Sequence, residues 1–568
     1  MLRNPLRRLL PGVLLLSCTL IFTNAGAAPA QVEDHVDRWY SHRDGDPGRL
    51  PNKHVGNEVV YQIFLDRFAN GNTANDCLYD GRFCDPSHND WYRFWGGDIR
   101  GLINQLDYLK GMGVTRIWIT PIFDNQLVKV SRVRHGQNVE VTAYHGYWPR
   151  DWFRLNPMFS DHGKEDYAIV DELVRRAGPE MRLLLDTVTN HSSPADARGD
   201  SLDYLNWIEP LKQDDGLRRT HRGAVFRKGE FFTSLDLDEQ IGGSQPAFHH
   251  FGSIQNYEDQ YQLENFQLDA LSDLDQDNAT VRRYMRDAHD FWIDRFPGLA
   301  GYRMDTVKHV PLSYWKQFDR DFFGAHPHHE VIAEYFGAGP SNPGAAQFYR
   351  ESQQTMFDFE FRQAIQDVFI ADKPMKTLTR VWAADPALID ARSMVTFVDN
   401  HDLARARGRG MSFDAMRQSL ALIFFARGIP SVYYGLEQDL FHGGDPGDPY
   451  NRPMMRSFDR NAPLYQVVQK LSALRKANPA LRWGSTHVVH ESDQILGFER
   501  VDGEHRAFFA TSKNKIDGVD EFDMQRLTFP DGDYIDALSG ETYPIRGGKL
   551  HVKLKRGGII ALSSTLRR

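Results

Sequence analysis

From residue 59 onward the chain alternates short runs of β-branched and aromatic residues with longer stretches whose apolar positions recur at helical spacing. Eight runs read as strands: 59–65 (VVYQIFL), 115–120 (TRIWIT), 181–186 (MRLLLD), 299–305 (LAGYRMD), 330–334 (EVIAE), 355–359 (TMFDF), 393–398 (SMVTFV) and 429–434 (IPSVYY). Helical stretches fall between them, among them 99–112, 165–177, 280–296 and 413–426. This alternation predicts an α/β fold, a (β/α)8 TIM barrel, in which crossovers are right-handed and functional residues gather at the carboxyl ends of the strands.

Two stretches break the alternation. Residues 191–271 separate the third and fourth strands and are rich in Gly, Asp and aromatics, which predicts an inserted irregular domain on one barrel loop. After a helix at 464–477 the pattern turns to short strands, 494–500, 507–511 and 558–562, which predicts a C-terminal antiparallel β-sandwich. The expected organisation is a leader at 1–30, barrel at 31–190 and 272–482, inserted domain at 191–271 and sandwich at 483–568.

The leader carries Arg3, Arg7 and Arg8, an apolar stretch from 9 to 22, and small residues at Ala25, Ala27 and Ala30, the pattern of a cleaved secretory signal. Pro11, Gly12 and Ser17 interrupt a stretch already shorter than the ~20 apolar residues of a membrane span. Export to the periplasm or beyond is therefore expected, with lipoprotein anchoring at Cys18 as the lesser alternative, and no later segment is long and apolar enough to cross a bilayer. In an oxidising compartment Cys77 and Cys84 are expected to form a disulfide; two thiols without a second Cys/His pair make a poor zinc site. The formal charge of −9 grows more negative without the leader, so nucleic acid is an unsuitable partner.

The chemistry sits where the barrel pattern says it should. Asp186, Asp305 and Glu334 end the third, fourth and fifth strands, and Asp399 and Asp402 follow the seventh. An ionised group at the end of a buried strand costs several kcal/mol unless paired or solvated, so several converging on one mouth point to a site. Cleavage of a glycosidic bond asks for this set: a nucleophilic carboxylate, a carboxylic acid opposite it, and a third acid to grip hydroxyls or tune its neighbours. The bland alternative is that these acids only pair with Arg303, Lys308 or rim amides. Metal-assisted hydrolysis is a competitor, because His191, His309 and His401 also lie near strand ends, but none falls in an HxH or HExxH arrangement.

These stretches resemble the alpha-amylase family of glycoside hydrolases, most of all bacterial cyclodextrin glucanotransferases and related amylases. DTVTNH (186–191), GYRMDTVKH (301–309), EVIAE (330–334) and FVDNHD (397–402) look like its four conserved stretches, in order, with YHGYW (144–148), LSDLDQDN (271–278) and VYYGLEQ (432–438) adding to the likeness. The resemblance implies that Asp305 is the nucleophile, Glu334 the acid/base and Asp402 the transition-state stabiliser. It implies that Arg303 keeps Asp305 ionised, that His191 and His401 hydrogen-bond the sugar, and that Tyr147 stacks beneath it. His145, Trp148, Lys308, His309, Asp448 and Arg452 are implied around the flanking sugars. Asp186 supports the site rather than acting chemically.

The resemblance also implies calcium. Asn190, Asp273 and the carbonyl of His309 would bind one ion between barrel and insertion. Asn70, Asn72, Asn75, Asp76, Asp98 and the carbonyl of Gly96 would bind a second, with Asn70 standing where members of the family often carry Asp. Asp269 falls where cyclising members place a central aromatic, and a carboxylate offers no stacking face for a curling glucan; Phe248 and Phe336 match acceptor-side aromatics of transferases. The expectation is a monomeric, exported, calcium-binding, retaining endo-hydrolase of α-1,4-glucans (starch, maltodextrins or cyclodextrins). A glucanotransferase is the runner-up and a non-catalytic glucan-binding protein the third possibility.

Overall fold

The computed structural model describes residues 58–78, 81–126, 129–163, 166–195, 217–219, 225–227, 247–513 and 519–568. The leader, Cys18 and most of the insertion lie outside the described residues.

Eight parallel strands form the barrel: β1 (Val60–Ile63), β2 (Arg116–Ile119), β3 (Arg182–Val188), β4 (Leu299–Asp305), β5 (Glu330–Ala333), β6 (Thr355–Met356), β7 (Val395–Phe397) and β8 (Ile429–Tyr433). Each pairs with its neighbour in sequence, β1 also pairs with β8, and a bridge between Phe357 and Val395 closes the ring. Their residues are buried on both faces almost throughout, as parallel strands under a helical layer require. The helix expected at 99–112 is two, Ile99–Asn104 and Leu106–Met112, because the Gln105 N–H bonds back to the Leu102 carbonyl in a tight turn. The sixth strand is shorter than its sequence suggests, since Asp358 already caps the next helix, Phe359–Phe369, by accepting from the Phe361 N–H.

Two excursions leave the barrel at the carboxyl end. After β3, His191–Pro194 pairs antiparallel with Leu271–Asp273, so the two ends of the insertion are tied together beside the barrel mouth. The other excursion was not foreseen. After β2, Phe123–Asn125 pairs with Pro149–Leu155, and between them Val130–Arg134 and Gln137–Val141 form a β-hairpin. Its two-residue turn, His135 and Gly136, has φ of 51° and 77°, the left-handed pair that matches the twist of the flanking strands.

At the C-terminus, two four-stranded antiparallel sheets face each other across Phe508, Ile560 and Leu562 on one side and Leu550, Val552 and Leu554 on the other. The opposite face of the first sheet, with Phe498, Phe509 and Ala561, joins the barrel core. Cys77 and Cys84 are disulfide-bonded, with Cα atoms 5.6 Å apart. No helix among the described residues is long and apolar enough to cross a membrane.

Candidate active site

Strand register assembles the acids. Arg303 on β4 lies opposite Asp186 on β3 and Ile332 on β5, and side chains two residues apart on a strand share a face, so Asp305 and Glu334 emerge together one step nearer the mouth. The Arg303 guanidinium is the hub. Its Nη1 donates to Asp186 Oδ1 at 2.8 Å and to Asp305 Oδ1 at 2.6 Å, and its Nη2 lies 2.9 Å from Glu334 Oε2. One buried cation thus spans the gap between Asp305 and Glu334. Glu334 Oε2 also accepts from the Thr306 N–H at 3.1 Å.

A second layer fixes the first. Asp186 Oδ2 accepts from Trp118 Nε1 at 2.8 Å and from the Tyr147 hydroxyl at 2.7 Å. The Tyr147 ring stacks on His401 at 5.2 Å with 10° between planes. Gln62 Nε2 is 2.5 Å from His401 Nδ1, which makes Nδ1 the acceptor and leaves the Nε2 proton facing the Tyr147 oxygen at 2.7 Å and Asp402 Oδ1 at 3.2 Å. Across the mouth Arg452 Nη1 pairs with Asp448 Oδ1 at 2.7 Å, its Nη2 lies 3.6 Å from Asp402 Oδ1, and its Nε donates to the His401 carbonyl at 2.9 Å.

Electrostatics separate the carboxyls. Burial, reinforced by the charges of Asp305 and Asp402, pushes Glu334 well above the ordinary glutamate range despite Arg303. Burial pushes Asp186 up to about 7 and Asp402 up to about 6, the latter against the pull of Arg452 and Arg303. His401 is held far below the usual imidazole value by burial and by Arg303 and Arg452, and burial likewise lowers His191 and takes His145 down to about 3, so these rings are neutral.

A cavity of ≈ 300 Å³ opens at this mouth, walled by Asp305, Glu334 and Asp402 with His145, Tyr147, Trp148, His191, Asp448 and Arg452. Arg303 and His401 lie beneath this lining rather than in it. Lys308 and His309 are not brought to it, and His309 Nδ1 instead faces the Leu263 carbonyl at 3.2 Å. Phe336 lines the cavity, 50 % exposed, whereas Phe248 is buried. Sequence patterning missed Gln62, Trp118, Arg132 and Arg134. The buried polar Gln62 within the apolar run VVYQIFL was the one available signal; the arginines sit on the unforeseen hairpin.

Among the described residues no cluster of three or more His, Cys, Asp or Glu is disposed to hold a metal ion, so a cation would depend on amide and carbonyl oxygens beside one or two carboxylates. At the insertion, Asn190 Oδ1 and Gln276 Oε1 are buried without a hydrogen-bond partner, and burial pushes Asp273 up to about 7 even beside His249 at 2.7 Å. That donor set fits a hard cation. The second set fits less well. Asp98 already accepts from the backbone of Gly71, Asn72 and Gly101 and from the Asn75 amide, and the Asn72 side-chain oxygen accepts from the Ala74 N–H. Only Asn75 Oδ1 is buried and unpaired there, while Asn70 Nδ2 faces Asp76, and a Cβ on Gly96 would sit 2.5 Å from Asp76 Oδ1.

Eight parallel strands carrying an arginine-bridged acid cluster at their carboxyl ends define a barrel built for acid-assisted chemistry. The model of the alpha amylase catalytic domain matches residues 62–443, and the chain belongs to the alpha-amylase family of enzymes acting on α-glucosidic bonds. It is 30% identical over 537 residues to a cyclomaltodextrin glucanotransferase of Thermoanaerobacterium thermosulfurigenes, covering 93% of this chain and 68% of that protein. Against a cyclomaltodextrin glucanotransferase of Paenibacillus macerans it is 33% identical over 502 residues, 85% of this chain and 63% of the relative. Among solved structures it resembles CldA, described as the first cyclomaltodextrin glucanotransferase with a three-domain ABC distribution (TM-score 0.74, 30% identity, 89% of this chain and 99% of that one).

Proposed function

We propose that the protein is an exported, retaining hydrolase of α-1,4-glucans, with starch, maltodextrins or cyclodextrins as substrate. The observation that carries this is the sharing of Arg303 by Asp305 and Glu334 at the wall of one cavity, with Glu334 pushed toward its protonated form. Glu334 gives its proton to the glycosidic oxygen as that bond breaks, and a carboxylate oxygen of Asp305 bonds to the anomeric carbon. Water then attacks the same carbon, Glu334 takes its proton, and the Asp305 carboxylate departs, so two inversions return the α-anomer. Asp402, beside the neutral His401 and beneath Arg452, is suited to holding sugar hydroxyls as charge develops. Proton NMR of the first product is expected to give the α-anomer, and Asp305→Asn and Glu334→Gln each to lose ~10²–10⁴-fold in kcat. Initial β-anomer, or near-normal turnover in either variant, would refute the mechanism.

Calcium is proposed at Asn190, Asp273 and the His309 carbonyl, where it would brace the insertion against β3; the set around Asp76 and Asp98 is a weaker candidate. Export is supported by the leader pattern and by the disulfide, which suits an oxidising compartment. The second reading, a glucanotransferase, is favoured by the uncovered Phe336 beside Glu334, a flat face for an acceptor sugar. Product analysis on starch separates the two, with cyclodextrins or disproportionated oligosaccharides marking the transferase.

A further inference from the structure

The loop that carries Asp402 is held from behind by a positive cluster that the glycosidic chemistry does not use. Arg362 and Gln366 stand one turn apart on the helix Phe359–Phe369, so their side chains leave the same face. Both are buried, at 4% and 2% exposure, and neither lines the cavity of the reactive carboxyls. Arg362 Nε donates to the Val398 carbonyl at 3.3 Å, just past β7, and Arg409 Nη1 donates to Gln366 Oε1. The helix thus grips the loop 398–409 at both ends, with Asp402 between the two grips.

Two donors of this cluster are left over. Arg362 Nη2 and Gln366 Nε2 are buried and have no hydrogen-bond partner. Among the described residues no carboxylate pairs with Arg362; the charge of Asp399 reaches it, but Asp399 Oδ1 accepts from the Ala406 N–H at 2.8 Å instead. Burial, only partly offset by Asp399, takes the Arg362 guanidinium down to about 10, and the like charge of Arg409 adds to the effect. Unsatisfied buried donors are costly, and a buried cation without a counter-charge more so. A water molecule would satisfy the donors and leave the charge uncompensated. A small anion satisfies both, and side chains this nearly sealed leave room for a monatomic one rather than a phosphate or an organic acid.

We propose that Arg362 Nη2 and Gln366 Nε2 bind a small inorganic anion of the halide class, which supplies the counter-charge for Arg362 and Arg409 and ties the loop 398–409 to the helix after β6. Without the anion the two arginines repel each other across the Gln366 amide, and the repulsion works to open the loop. With it, Arg362 and Gln366 act as positioning residues that fix the loop carrying Asp402. The site is separate from the acid cluster on Arg303, and its occupation does not depend on which substrate the enzyme cleaves.

The test replaces gluconate, too large for the site, by chloride at constant ionic strength, with calcium supplied as its gluconate and the full chain throughout. Chloride is expected to raise Tm by about 1–3 °C and to slow amide hydrogen exchange in the loop 399–411 about 5-fold or more. Crystals grown in bromide are expected to show an anomalous peak in contact with Arg362 Nη2 and Gln366 Nε2. Arg362→Met removes cation and donor together, so it is expected to lose the chloride response while melting no lower than the wild type in gluconate; an arginine with a merely structural role would melt lower in both salts. Gln366→Leu is expected to lose most of the response, and it decides the matter with the bromide crystals should Arg362→Met fail to fold. A Tm indifferent to chloride, or a response kept in full by the variants, would overturn the site. A bromide peak there beside an indifferent Tm would mark an adventitious ion only and overturn it equally.

Discussion

A single guanidinium shared by three carboxyl groups makes the site sensitive to charge at the level of individual atoms. Activity requires Glu334 protonated and, on the proposed mechanism, Asp402 ionised. Rising pH deprotonates Glu334 and falling pH protonates Asp402, so kcat/KM is expected to be bell-shaped, with an acid limb near the value of about 6 to which burial raises Asp402 and an alkaline limb displaced upward from the ordinary glutamate range. Arg452 pulls the Asp402 value down, so Arg452→Met is expected to move the acid limb to higher pH; an unmoved or lowered limb would show that Asp402 does not set it. Gln62 is tested separately. Its amide directs the His401 proton toward Tyr147 and Asp402, so Gln62→Leu is expected to lower kcat ~10-fold or more with little change in KM, as losing a second-layer partner does. The acids were legible in the sequence because a carboxylate ending an apolar strand breaks the pattern. Trp118 was not, since an indole inside such a run reads as core, and Gln62, although it breaks its run, reveals its partner His401 only once the strands are paired.

Between elements, buried arginines do the joining. Arg500, on the strand Ile495–Asp502 of the C-terminal sheet, donates to the Gly484 carbonyl at 2.6 Å and to the Phe425 carbonyl at the end of a barrel helix at 3.0 Å. Arg500→Met keeps the apolar stem and strips the donors, leaving buried carbonyls unpaired, so a loss of about 1–3 kcal/mol in stability is expected. Chemical denaturation read by tryptophan fluorescence should show an earlier midpoint while activity below the transition is retained; an unshifted midpoint would mean that water replaces the arginine. At this scale the barrel strands were readable because parallel strands buried on both faces are near-continuous apolar runs. The break at Gln105 and the two-residue length of β6 were not, because each is decided by a local hydrogen bond rather than by hydrophobic period. The hairpin escaped for the opposite reason. SRVRHGQNVEV carries charge on both faces and turns at His-Gly, so no apolar face marks it as a strand pair, and its partners Asp269 and Asp448 are far away in sequence.

For the molecule as a whole, the weak seam is where the insertion meets the barrel. The pairing of His191–Pro194 with Leu271–Asp273 is short and has a register shift, and around it Asn190 Oδ1 and Gln276 Oε1 are buried and unpaired while Asp273 is buried against His249. A divalent cation accepting those oxygens would satisfy groups that otherwise cost stability, and a ligand bound by the folded state alone at ~100 times its Kd adds ~2.7 kcal/mol. Chelation is therefore expected to lower Tm and activity together and calcium to restore both. Magnesium should restore less, because it demands a tighter octahedron than scattered amide and carbonyl oxygens supply. In Asn190→Ala the calcium-dependent part of Tm is expected to vanish, whereas Asn75→Ala, at the set where Asp98 is already saturated by protein donors, should keep most of it. Identical melting with chelator and with calcium would mean that His249 alone balances Asp273, and that the insertion is held to the barrel by hydrogen bonds and packing without an ion.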